Sequence, residues 1–213
     1  TFKTRERKAV ETARASIGLA RTQLVVDGSG AFRGVQEYRL DNETEQFLEI
    51  ALPTGAHLWS ATVAGEPVKP IEEPATGGAA KLQIPLIKTA KGDQDYAVIL
   101  KYGGTLGSLG NLGTVGFPLI HTVNINVETS QVRLYLPKNH SWFDFGGDMK
   151  LVTEADHAAG QVAYNTRQLQ KLAEVLSGDD DYARARAIAN SSGLMAENNK
   201  LINQQEERHL NQE

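Results

Sequence analysis

The chain has 213 residues, 40% of them apolar, and a formal net charge of −4 at pH 7. That is enough for one sandwich-sized domain plus an appendage, or for two small domains, and it excludes wholesale disorder. There are no cysteines, which excludes disulfides, thiol catalysis and cysteine-based zinc sites.

Charge is divided unevenly. Residues 1–150 carry 16 Lys/Arg and 16 Asp/Glu, whereas residues 151–213 carry 6 and 10 and so supply the whole net −4. Neither half is basic, so no nucleic-acid partner is expected. Mean hydropathy is −0.35, and no apolar run approaches the ~20 residues that span a bilayer, so no membrane insertion by this segment itself is expected. The N-terminal TFKTRERKAVETA has basic residues but no apolar stretch behind them, unlike a signal peptide. It lacks an initiator Met, so the chain is expected to be processed or cut from something longer.

Thr4 to Ala15 fits either a short helix or a lead-in to the first strand, and Ile17 to Val26 reads as extended. Asp27-Gly28-Ser29-Gly30 is a turn signal, because Gly tolerates positive φ and Asp bonds its own backbone. From Ala31 to Leu40, Phe32, Gly34, Gln36 and Tyr38 alternate with Arg33, Val35, Glu37 and Arg39, which completes a hairpin. Gln46 to Leu52 follows as a strand with Leu48, Ile50 and Leu52 on one face. His57 to Val63 is another, and there alternation places Trp59 in the core, with an exposed contact residue as the alternative. Residues 71–80 read as a polar loop, and Lys81 to Lys88 and Asp95 to Tyr102 as two more strands.

In residues 103–116, Gly recurs at 104, 107, 110, 113 and 116, and Leu106, Leu109, Leu112 and Val115 keep the same period of three. Five triplets without proline cannot sustain a collagen helix. The segment reads as an irregular loop with its leucines turned to the core, or as a docking flap. Phe117 to Val127 and Gln131 to Leu136 read as strands, and Val123, Ile125 and Val127 alternate with Asn124 and Asn126. Residues 138–150 form a loop with three aromatics.

From about residue 154 the pattern turns helical, with Val162, Leu169 and Leu176 at heptad spacing and Leu172 between them. Ser177-Gly178 ends this helix, Asp179-Asp180-Asp181 caps the next, and Ser191-Ser192-Gly193 is expected to break it. Leu194 to Glu213 then reads as a polar helical arm without a C-cap, which is either packed on its own domain or the start of a coiled coil.

No catalytic, cofactor-binding or metal-binding residue can be assigned, and no cofactor is expected. Ser60, Ser130 and Ser141 lie in no G-x-S-x-G elbow. The glycine run contains neither phosphate-loop fingerprint. Asp144-Phe145-Gly146 has no kinase context around it. His57, His121, His140, His157 and His209 are dispersed, with no H-x-x-x-H pair. Asp144 and Asp148, four apart in a Gly loop beside Trp142 and Phe143, read as turn chemistry or as a sugar- or peptide-binding edge, and not as a facing carboxylate pair.

The segment Gln46-Phe47-Leu48-Glu49-Ile50-Ala51-Leu52-Pro53, then Gly55-Ala56, Leu58-Trp59-Ser60 and Val63-Ala64-Gly65-Glu66-Pro67-Val68-Lys69-Pro70, followed by Ile84-Pro85-Leu86 and Val98-Ile99-Leu100-Lys101-Tyr102, resembles a β-sandwich region of large, uncharacterised, membrane-anchored bacterial envelope proteins. The likeness covers about residues 35–150 and carries no site residues across. It implies an extracytoplasmic position inside a longer chain. The expected architecture is mainly β with C-terminal α: an antiparallel β-sandwich domain over 1–150 and a helical arm over 151–213. Its expected core includes Ile50, Leu52, Trp59, Leu100, Val127 and Leu134. The expected function is a non-catalytic structural or protein-interaction module, which would meet other domains of its parent chain or another protein through the helical arm. A carbohydrate- or other ligand-binding sandwich and an enzyme with an unrecognised site are the alternatives.

Overall fold

The computed structural model describes residues 15–73, 81–110 and 113–210, with side chains except at residues 73 and 205–210. Residues 1–14, residues 74–80 of the expected loop, and Leu112 lie outside them. Ten strands are described: β1 (Ala15–Val26), β2 (Ala31–Asn42), β3 (Phe47–Ala51), β4 (Ala56–Val63), β5 (Glu66–Val68), β6 (Ile71–Glu73), β7 (Lys81–Pro85), β8 (Tyr96–Thr105), β9 (His121–Thr122) and β10 (Ser130–Tyr135). Two helices follow, α1 (Glu154–Leu176) and α2 (Asp181–Leu210). The strands form a six-stranded sheet in the order β10-β1-β2-β8-β4-β5 and a four-stranded one in the order β6-β7-β3-β9.

The hairpin of β1 and β2 turns where the sequence places it. The Asp27 carboxylate accepts from the Ser29 N–H at 2.8 Å and from the Ala31 N–H at 3.1 Å. Gly30 has φ +84, and a Cβ there would meet the Gly107 carbonyl oxygen at 1.9 Å. Only glycine fits, because the start of the glycine-rich segment lies against this turn and the Leu106 N–H donates to the Gly30 carbonyl at 2.8 Å.

One apolar cluster joins the two sheets. Leu24, Phe32, Tyr38, Leu40, Val98, Leu100 and Tyr102 enter it from the larger sheet, and Leu48, Ile50, Leu82 and Ile84 from the smaller. Burying each such side chain stabilises by about 1.5–3 kcal/mol. Of the expected core residues, Ile50, Leu52 and Leu100 are buried, and Val127 and Leu134 pack half-buried against the cluster. Leu106 and Leu109 of the glycine-rich run also pack against it, as a loop with its leucines turned inward would.

The pairing between the described strands is mostly antiparallel, with one exception, and three expectations are corrected after it. The pairing is not wholly antiparallel: β10 runs parallel to β1, with Ala20 opposite Ser130 and Val25 opposite Tyr135. Parallel neighbours need a long connection, and more than a hundred residues separate these two, too far for a local sequence pattern to reveal. Ile71–Glu73 is a short strand on β7 rather than loop. Phe117 to Val127 contains only the two-residue β9, and Val123 is exposed. Here the Asn124 side chain does what a strand backbone would do. Its Oδ1 accepts from the Glu49 N–H and its Nδ2 donates to the Phe47 carbonyl, both at 2.9 Å. The third correction is to α2, which runs through Ser191-Ser192-Gly193 without a break. The two hydroxyls bond back to the carbonyls of Ile188 and Ala189 within the helix. Packing of Ala187 and Leu194 against Leu172 of α1 outweighs the ~1 kcal/mol propensity penalty of glycine.

The helices lie on the outer face of the six-stranded sheet, away from the shared core. Thr153 and Asp156 form a capping box at the start of α1. Asp180 accepts from the N–H groups of Tyr182 and Ala183 to cap α2, the role its acidic run predicts. α1 rests on β1 at Gly18, where a Cβ would stand 2.8 Å from the Tyr164 ring. α2 rests on the turn at Lys91-Gly92, where Arg186 and Asn190 donate to the carbonyls of Lys91 and Gly92.

Candidate functional site

The helices leave part of the outer sheet face open, and Trp59 stands on that part. Straight alternation from Ala61 and Val63, both buried, would carry Trp59 into the core. A bulge interrupts β4 instead: Leu58 pairs with Tyr102, Ser60 pairs with Lys101, and Trp59 is the extra residue between them. A bulge re-aims one side chain, so Leu58 takes the core position and Trp59 is 58% exposed. The indole lies over Gly103, where a Cβ would come within 2.3 Å of it.

The neighbours on this face follow from the register. Gly103 stands beside Arg33, Arg33 beside Val25, and Val25 beside Tyr135. In the next row Lys101 stands beside Val35 and Val35 beside Gln23. Val25, Val35 and Tyr135 are substantially exposed. The result is an apolar patch with the cations Arg33 and Lys101 set into it.

At the edge of the patch a groove of about 330 Å³ opens where the helices meet the sheet. Strand residues such as Gln23 and Val35 line one side, and helix residues such as Gln161 and Leu201 the other. Its charges are paired with one another. Arg21 meets Glu37 at 2.6 Å and Arg133 meets Glu154 at 2.9 Å. The Gln131 amide donates to the His157 carbonyl at 3.1 Å. Burial, and then the Arg133 cation, hold the His157 imidazole below its usual range, with Glu154 opposing. Among the described residues, Arg21 Nε and Gln131 Oε1 are buried without a hydrogen-bond partner. These groups can bind a polar moiety, but they are not arranged as a nucleophile, base and orienting group.

The residues singled out from sequence are not brought together. Asp144 and Asp148 sit on an exposed loop with Phe143 and Phe145, and Asp144 has φ +57, as a turn residue does. Trp142 of that loop packs on Phe117, with ring centroids 6.1 Å apart. Among the described residues no group of three His, Asp or Glu could hold a metal ion. Alternation favours a core Trp59 over the alternative of an exposed contact residue, and the exposed one is found, because a bulge changes parity without changing composition. Sequence reasoning missed the groove, whose lining comes from β1, β2, β10, α1 and α2. The one available signal was glycine at 103 within a strand pattern, which marks a close approach.

No known protein family matches the sequence, and no curated protein does. Among solved structures, the M1 zinc metallopeptidase of Deinococcus radiodurans is 18% identical over 43% of this chain and 20% of that one, with a TM-score of 0.34. The LTA4 hydrolase of yeast is 13% identical over 48% of this chain and 18% of that one, with a TM-score of 0.37. The matched part is thus about a fifth of the length of either enzyme.

Proposed function

We propose that this chain is a non-catalytic protein-interaction module: a β-sandwich carrying a helical pair, set within a larger extracytoplasmic protein of the bacterial cell envelope. The observation that carries the reading is Trp59. A bulge turns it out of the core and a glycine lies beneath it, yet it remains 58% exposed. A large aromatic held flat on an open face, with apolar neighbours and a polar rim, is the make-up of an interface anchor. The partner is another domain of the parent chain or a separate protein. The sequence resemblance over residues 35–150 supports the envelope placement.

A second reading rests on the same indole. A flat ring with Arg33 and Lys101 on the same sheet face also suits stacking against a sugar. Peptide and glycan arrays, each probed with wild-type protein and with Trp59→Ala, separate the two. The interaction reading expects retention on peptides with an apolar anchor and its loss in Trp59→Ala at unchanged melting temperature. Trp59-dependent retention on glycans alone would support the sugar reading instead. Retention that ignores Trp59 would overturn both.

A further inference from the structure

The helix pair meets the six-stranded sheet by a different kind of contact from those that hold either layer together. The apolar cluster of the sandwich contains no residue of α1 or α2, and Leu172, Ala187 and Leu194, with Leu169 and Val175, form a separate cluster inside the pair. Between the two layers the contacts are polar. Arg133 meets Glu154 at 2.9 Å, Arg186 meets Asp93 at 3.3 Å, and the Arg167 guanidinium donates to the Thr129 hydroxyl at 3.2 Å. The covered strand face is charged as well. Ala20 enters the core, so alternation puts Leu19 and Arg21 on the outer face, beside Arg39 and Glu37. Leu19, 1% exposed, is the apolar residue that β1 adds there. Among the described residues, Arg21 Nε, Gln131 Oε1 and Tyr164 Oη are buried without a hydrogen-bond partner. Docking thus desolvates polar groups that water would satisfy in an open state, and it buries little apolar surface. The connection permits movement too. Every residue from Phe143 to Asp156 is exposed, and no strand or helix is described between Tyr135 and Glu154.

We infer that α1 and α2 form a hinged cover. The pair moves as one body about the exposed segment before Glu154, and ionic contacts latch it over the outer face of β1, β2 and β10. The covered row of Gln131, Arg21 and Glu37 lies next to the row of Arg133, Gln23, Val35 and Lys101. Opening therefore extends the open face across the groove without breaking a strand. The inference does not rest on the interaction reading, because its test reads opening and needs no partner.

The chain has no cysteine, so an introduced thiol reports the exposure of its own position. Leu19 and Ala20 are neighbours on β1 that face opposite ways, Leu19 toward the helices and Ala20 into the core. Leu19→Cys and Ala20→Cys are made in the full chain, with Tyr164→Cys to read the helix side of the contact at Gly18. Each is labelled with a thiol reagent under native conditions at low and high salt. Each rate is divided by that of the unfolded chain in the same buffer. The cover expects Leu19→Cys and Tyr164→Cys to label at similar rates, both about tenfold or more faster than Ala20→Cys, which waits for the core to unfold. Both should label faster as salt rises, because exposed ion pairs are screened. Arg186→Met removes the contacts to Asp93 and to the Lys91 carbonyl. In that background Leu19→Cys should label about fivefold faster, the factor of one exposed ion pair. If Leu19→Cys and Tyr164→Cys label no faster than Ala20→Cys, the helices leave only when the core unfolds, and the cover is overturned. Fast labelling of only one of the two is a local fluctuation and overturns it as well. Fast labelling of both that ignores salt and Arg186→Met would overturn the ionic latch.

Discussion

The rings of Tyr102 and Trp59 lie over glycines on opposite faces of the six-stranded sheet. Inside, the Tyr102 ring covers Gly34, where a Cβ would come within 2.3 Å of it. Its hydroxyl donates to the Pro118 carbonyl at 2.8 Å, and burial pushes that phenol up to about 12. Outside, the Trp59 ring covers Gly103 at the same 2.3 Å, with most of the indole in water. The local device is the same and the energetic consequence differs. Tyr102 is fully buried and makes an edge-on contact with Phe32. Trp59 recovers little by packing, so folding alone does not account for it.

The largest expected effect breaks the comparison at Tyr102. Tyr102→Ala removes a buried ring and orphans the Pro118 carbonyl. It should lower unfolding free energy by about 3–5 kcal/mol, read as a shift in urea midpoint. Trp59→Ala should cost about 0.5 kcal/mol or less, the range of an exposed substitution. Equal losses from the two variants would make Trp59 a structural residue and remove the motive for an interface.

Next in size is the glycine beneath the inner ring. Gly34→Ala forces Tyr102 off its seat and should cost about 1–3 kcal/mol, as overpacking does. Thermal unfolding of the single variant measures it. A neutral result would mean that Tyr102 shifts freely, and that the close approach carries no specificity.

The same contrast separates what was legible in the sequence from what was not. Phe32, Gln36, Tyr38 and Leu40 in β2, and Leu48 and Ile50 in β3, have the burial their alternation predicts, because nothing interrupts those strands. The hairpin turn at Asp27–Gly30 was legible because its residues close it by themselves. Trp59 was not, since one inserted residue reverses every later parity in a strand. Asn124 was hidden for another reason. Its amide replaces a ladder of peptide bonds, while Val123, Ile125 and Val127 keep the period of a strand they do not form. The continuity of α2 depends on α1, which lies outside any local window. The groove was least legible, because five elements meet there and no two of its charged pairs are close in sequence.

A third glycine sharpens the comparison with the opposite sign. Gly193 lies within α2, and a Cβ there would meet nothing within 4 Å. Unlike Gly34 and Gly103 it makes room for no ring. Gly193→Ala should therefore stabilise by about 1 kcal/mol, the helix-propensity difference, seen as a higher melting temperature. A loss instead of a gain would show that the position meets a surface.

The smallest expected effect belongs to the groove beside the open face. His157 is held below its usual value of 6.5 by burial first and by Arg133 second; Glu154 opposes and Arg21 adds to the lowering. The folded protein thus binds a proton at this site less readily than the unfolded chain does. Stability from the neutral imidazole is complete above the unfolded value, near 6.5, and declines as pH falls through the lower folded value. His157→Gln keeps a polar side chain and cannot titrate. Its unfolding midpoint should change less than that of the wild type between about pH 8 and about pH 5. The difference should open only on the acid side of about 6.5. Parallel curves would mean that the imidazole is as well solvated folded as unfolded, and that the groove is wetter than its paired charges indicate.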